Sequence, residues 1–165
     1  MGSSNGEDNL FKHIEQAIMQ IGWLGQRQFM QLLADERFDL TVPQFHTLLH
    51  LNYCDGVCKM SDLARSTHQS AASLTGVVDR LLEKQLVERG RPEGDRRQVV
   101  VSVTERGRAL LRAIKAARRA ETRLALAHMR PIDLQELLRL LNMMLEGMLQ
   151  AVAADEPDPA EQRLE

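Results

Sequence analysis

The 165-residue sequence predicts a mostly α-helical chain carrying one small β-hairpin. Three observations point there. Hydrophobic residues make up 44% of the chain and aromatic residues only 4%, with few Gly and Pro, a balance of small and unbranched side chains that favours helices. Apolar residues recur at helical spacing through long stretches near both ends. Leu86–Arg89 and Gln98–Val103 are short β-type runs, and the polar loop between them holds Gly90, Pro92 and Gly94, which is the pattern of two strands and a turn.

Taken in order, Leu10, Ile14, Ala17, Ile18, Ile21 and Leu24 lead into Leu32 and Leu33, so the first amphipathic helix covers about 8–34. After a linker, Thr41 caps a second helix with Pro43 in its first turn and Gln44 at the capping-box position. That helix runs to about Tyr53, where Asp55-Gly56 stops it, and residues 57–60 form a short extended piece. Ser61 caps a short helix ending near Ser66. Following the turn Thr67-His68-Gln69, Ser70 caps the next helix, which reaches about Gln85 and buries Leu74, Val77, Val78, Leu81 and Leu82. Two helices joined by so short a turn, with a hairpin directly after them, make a winged helix-turn-helix. Thr104 caps a long helix from Glu105 to about Met129, Arg130-Pro131 breaks it, and Asp133 with Glu136 forms a capping box for the last helix. The organisation read from this is a disordered start or tag remnant over 1–9, a dimerisation helix over 10–40, a DNA-binding lobe over 41–104, dimerisation helices over 105–153 and a disordered acidic tail over 154–165.

Charge supports the DNA-binding reading through its distribution. The net charge is −2, yet residues 80–123 hold 13 Lys/Arg against 6 Asp/Glu, while residues 1–62 hold 4 against 8 and residues 124–165 hold 3 against 8. One contiguous basic region is the electrostatic footprint of a nucleic-acid face. The second helix of such a motif places its N-terminal residues against base edges in the major groove. Here those residues are Gln69, Ser70, Ala72, Ser73, Thr75 and Gly76. Gln pairs with adenine, hydroxyls bond bases or phosphates, and small residues allow close approach. In the hairpin, Arg91, Asp95, Arg96 and Arg97 form the wing set, the carboxylate holding a guanidinium in orientation for phosphate or minor groove. Arg65, Arg80 and Arg89 are further phosphate candidates. No nucleophile–base pair, phosphate loop or metal-hydrolase signature is present, which argues against an enzyme. With no signal peptide and no apolar run of membrane-spanning length, a cytoplasmic location is expected. The alternative function is a winged-helix protein-interaction module without specific DNA binding.

His46, His50, Cys54 and Cys58 recur every four residues. His46 and His50 share one helix face at a metal-binding spacing. Cys54 extends that face, and Cys58 falls beyond the Gly56 stop. No carboxylate or third histidine completes a set in sequence, so the plainer reading is solvated histidines and a small core cysteine. No metal and no cofactor are assigned. Trp23, the only tryptophan, either lines a ligand pocket with His46 and His50 or packs in an interface.

Leu63-Ala64, Val78-Asp79-Arg80-Leu81, Leu86-Val87-Glu88-Arg89, Asp95-Arg96-Arg97 and Val103-Thr104-Glu105-Arg106-Gly107 together resemble the MarR family of winged-helix transcriptional regulators, and Val42-Pro43-Gln44-Phe45 resembles its second-helix start. The resemblance implies a triangular homodimer built by the first and last two helices and a pseudo-palindromic double-stranded operator. It also implies repression released by a small, apolar or aromatic effector. It puts the family's wing arginine on Arg97. Two departures stand out. Gly76 follows Thr75 where the family often has arginine, and His68 and Gln69 replace a turn glycine and an apolar residue.

Overall fold

The computed structural model describes residues 3–54, 58–90 and 100–155. Their order is α1 (Ser3–Ala34), α2 (Val42–Tyr53), β1 (Cys58–Lys59), α3 (Met60–Ser66), α4 (Ala71–Glu83), β2 (Val87–Gly90), β3 (Val100–Val103), α5 (Glu105–Ala125) and α6 (Pro131–Asp155). Helices with one small sheet match the expected class. Two parts differ from expectation at the ends. Residues 3–9, read as disordered, continue α1 as helix, and α5 stops at Ala125 rather than near Met129. Residues 156–165 of the expected tail lie outside the described residues.

Local chemistry sets the helix starts. At α2 both arms of the capping box close: the Thr41 N–H donates to Gln44 Oε1 at 3.0 Å, and the Gln44 N–H donates to Thr41 Oγ1 at 3.4 Å. Each bond satisfies an amide that the first helical turn leaves unpaired. The Ser73 N–H donates to Ser70 Oγ at 3.2 Å, capping α4. Two expected caps are corrected. Helix α3 begins at Met60 with no side-chain cap, so Ser61 lies inside its first turn. In α6, Asp133 occupies the third helical position and accepts from the Arg130 N–H at 3.2 Å, while Glu136 pairs with Arg139 instead of closing a box.

Of the extended piece expected over 57–60, Cys58 and Lys59 form a third strand, Met60 already opens α3, and Val57 lies outside the described residues. The sheet order is β1-β3-β2, both pairings antiparallel, with Cys58 opposite Val101 and Arg89 also opposite Val101. Central β3 buries Val100, Val101 and Val103, with Ser102 half-buried between them. Around the sheet, Leu33, Leu48, Leu51, Leu63, Leu74 and Leu81 are fully buried. Phe29 of α1 meets Phe45 of α2 edge-on at 4.9 Å, and Arg118 of α5 lies 4.5 Å over the Phe29 ring.

The chain divides into two bodies, residues 1–120 and 121–165. Within the first, α1 leaves Leu10, Phe11, Ile14, Ile18, Ile21, Trp23 and Leu24 exposed. Within the second, α6 leaves Leu138, Leu141, Leu145, Leu149 and Val152 exposed. Among the described residues no helix is long and apolar enough to cross a membrane.

The junction of α4, the hairpin and α5 is closed by three hydrogen bonds to Thr104. Its N–H donates to the Leu86 carbonyl at 3.1 Å, its hydroxyl donates to the Gln85 carbonyl at 2.8 Å and accepts from the Gly107 N–H at 3.1 Å. A Cβ on Gly107 would stand 2.2 Å from the Leu86 carbonyl oxygen and 2.8 Å from Val103 Cγ1. The nearest of these atoms is Leu86 backbone, which has no flexible end to yield. Gly107→Ala is expected to lower the unfolding free energy by about 2 kcal/mol or more, the scale of core overpacking. Urea denaturation reads this as a fall in midpoint at constant slope, and an unchanged midpoint would contradict the packing.

Candidate nucleic-acid interface

The turn between α3 and α4 is built from backbone bonds. The Gln69 N–H donates to the Ala64 carbonyl at 3.0 Å and the His68 N–H to the Arg65 carbonyl at 3.3 Å. This is the Schellman pattern, which needs a left-handed residue just past the helix. His68 supplies it with φ 51°. The Thr67 hydroxyl also donates to the Leu63 carbonyl at 2.7 Å. The same pattern recurs at the end of α4, where Gln85 has φ 58° and the Leu86 N–H donates to the Leu81 carbonyl at 2.9 Å.

Helix α4 then divides cleanly by face. Leu74, Val78 and Leu81 are fully buried; Val77 and Leu82 are half-buried. Burying each of the first three stabilises by roughly 1.5–3 kcal/mol, which fixes the rotation of the helix. The opposite face carries Ser70, Ala72, Ser73, Thr75 and Gly76, all exposed. The Thr75 hydroxyl donates to the Ala71 carbonyl at 2.8 Å. Nothing lies within 4 Å of where a Gly76 Cβ would stand, so the fold itself does not require glycine there. Its effect is to keep this face low.

Gln69 departs from the expected reading set. Its side-chain amide turns inward and donates to the buried Thr47 hydroxyl of α2 at 3.1 Å, and its Oε1 is buried without a partner. Sequence reasoning missed this because Thr47 lies 22 residues away. The residue ties the turn to α2 and lines a cavity of about 190 Å³ with Val42, Pro43, His46, Thr67 and Ser73.

The three phosphate candidates each hold an ion pair. Arg65 meets Asp62 at 3.3 Å, Arg80 meets Glu83 at 2.9 Å, and Arg89 meets Asp79 at 2.6 Å. The last joins α4 to strand β2. Exposed pairs of this kind are worth about 0–1 kcal/mol, so a phosphate can replace the carboxylate at small cost. The hairpin strands are in register up to Gly90 opposite Val100. Arg91, Asp95, Arg96 and Arg97 lie outside the described residues.

Trp23, His46 and His50, grouped as a candidate ligand pocket, occupy different surroundings. Trp23 is exposed with Arg27 stacked 5.6 Å from its ring. His46 borders the small cavity beside Gln69. His50 stands beside Cys54 and Cys58. Burial pushes the Cys58 thiol up to about 12, with the Cys54 thiol and the Asp62 charge acting the same way. A free thiol so far from ionising is a poor nucleophile.

Two substitutions test this local geometry. His68→Gly removes the left-handed penalty and should raise stability by about 1 kcal/mol. Gly76→Ala, in open space on a helix, should raise it by a similar amount, about 1 kcal/mol. Thermal melting is the readout; a fall in melting temperature for either variant would contradict the turn or the open face respectively.

Comparison with known proteins places this geometry. The MarR family model matches residues 38–98, from the end of the α1–α2 linker into the hairpin. An uncharacterized HTH-type transcriptional regulator of Bacillus subtilis, YfiV, is 37% identical over 78 residues, which is 47% of this chain and only 48% of YfiV. The HTH-type transcriptional repressor NicR of Pseudomonas putida is 28% identical over 132 residues, 78% of this chain and 84% of NicR. A crystal structure of a probable transcriptional regulator from Pseudomonas aeruginosa is 32% identical at a TM-score of 0.54, covering 79% of this chain and 98% of that one. With the family model on the helix-turn-helix and the hairpin, and a regulator 32% identical matched over most of both chains, the chain belongs to the MarR family of winged-helix regulators.

Proposed function

We propose that this chain is a homodimeric, sequence-specific DNA-binding transcriptional regulator that acts as a repressor and is released by a small effector. The observation that carries the reading is the two-faced α4. Its apolar stripe is locked into the core while Ser70, Ala72, Ser73, Thr75 and Gly76 stand clear on the other side. A helix held that way, with hydroxyls and small residues outward, suits close insertion into a major groove. The NicR name supports repression. The regulator names carried by the relatives favour DNA over a protein-interaction role.

The exposed apolar residues of α1, and separately those of α6, support burial against a second copy. A two-fold dimer presents two reading helices to a pseudo-palindromic operator, and they must match major grooves about 34–36 Å apart. An effector that binds better to a copy with another spacing shifts the population away from DNA by its difference in affinity. A cavity of about 490 Å³ between the α1–α2 linker, the end of α4 and the start of α5 supports effector binding, with Phe38, Leu86 and Leu110 as apolar walls and Arg106 beside the paired Lys84 and Asp39.

The wing arginine gives the test. Arg97→Ala should weaken binding to a duplex from the protein's own upstream region and reduce the slope of log K against log salt by about 1. Gel shift across a salt series measures both. An unchanged slope would remove Arg97 from the interface, and no binding to that duplex or to a selected pool would count against the function.

A further inference from the structure

We propose that His50, Cys54 and Cys58 form a binding site for one thiophilic cation, zinc. One ligand atom from each residue lies within 4.8 Å of the other two. His50 sits in the last turn of α2 and Cys54 caps it, the Cys54 N–H donating to the His50 carbonyl at 3.1 Å. That i,i+4 spacing stacks the imidazole and the first thiol on one helix face. Cys58 opens β1, and its pairing with Val101 of β3 fixes it from the other side. Two independent elements therefore converge on one point, and the site is made by the fold rather than by the sequence interval alone. His46, which shares the spacing, is not part of the group.

The donor chemistry selects the ion. Among the described residues the set is one imidazole and two thiols, a borderline-to-soft group that suits zinc and disfavours magnesium or calcium. Sulfur atoms on a tetrahedral zinc lie about 3.7 Å apart for Zn–S bonds near 2.3 Å, so a closure of at most about 1 Å completes the geometry. Cys58 is buried, and His50 and Cys54 are half-buried; an ion there is sheltered yet reachable. Three protein ligands leave the fourth position to water. On binding, the cation displaces a proton from each thiol to solvent, at Cys58 against the burial that favours the protonated thiol, and two thiolates balance the 2+ charge. The cation would staple the end of α2 to β1, and β1 leads straight into α3, the first helix of the helix-turn-helix. None of these residues is on the exposed face of α4, so the site stands whether or not the chain binds DNA.

The test uses the full chain, reduced and stripped with a chelator, titrated with cobalt(II) as a spectroscopic stand-in and then with zinc. One metal per chain should be retained through gel filtration. Cobalt should give a thiolate-to-metal charge-transfer band with tetrahedral d–d absorption, and zinc should displace it. Zinc should also raise the melting temperature of the wild-type chain. Cys54→Ser and His50→Gln, neither deeply buried, should each weaken zinc at least about tenfold and abolish the melting shift while keeping the wild-type circular dichroism. The proposal is overturned by any of three results: no zinc retained, a cobalt spectrum lacking the sulfur band, or wild-type affinity in both variants. A Cys54–Cys58 disulfide forming in air despite equimolar zinc would also overturn it.

Discussion

The burial of Leu74, Val78 and Leu81 is the constraint on which the rest of the molecule depends. Three side chains at helical spacing, each worth roughly 1.5–3 kcal/mol when buried, leave α4 one orientation. Every exposed group on that helix takes its direction from this choice. Ion pairs do not compete. Arg80 with Glu83 and Asp79 with Arg89 are exposed on both partners, and such pairs are worth about 0–1 kcal/mol. The apolar stripe sets the face, and the charges dress its edge.

A second layer of constraint holds the hairpin to the helix. Gln85 turns the chain in the left-handed conformation, and the Leu86 N–H returns a hydrogen bond to the Leu81 carbonyl. From the far side, Thr104 and Gly107 close against the Leu86 carbonyl. The reading helix, both hairpin strands and the start of α5 thus meet within a few residues. The backbone of α5 and the start of the hairpin pack there with little slack.

Much of the fold was legible because its signals are local. The Thr41–Gln44 capping box, the Ser70 cap and the Leu74–Val78–Leu81 stripe all arise within one or two helical turns. The hairpin was legible from its two β-type runs, although Gly90, read into the loop, ends strand β2 opposite Val100, and Pro92 and Gly94 lie outside the described residues. What escaped was set by partners distant in sequence. Gln69 has the chemistry of a base reader and instead bonds Thr47 across to α2. The Gly56 stop separates Cys58 from the α2 face in sequence, and strand pairing with β3 brings its thiol back to His50 and Cys54. Trp23 stacks with Arg27, His46 borders the cavity beside Gln69 and His50 stands beside the two cysteines, because helical spacing within α2 says nothing of which way α1 turns its ring. His68 was visible as a departure from a turn glycine, but its left-handed backbone, φ 51°, is a property of the folded turn.

Entry of the outward face of α4 into DNA is tested most directly by amide hydrogen exchange on the full chain, with and without a bound duplex drawn from a selected pool. The account predicts slowed exchange across residues 70–76 and in strands β2 and β3 when the duplex is present. A complex that forms while those segments exchange as in the free protein, with protection appearing elsewhere, would contradict it.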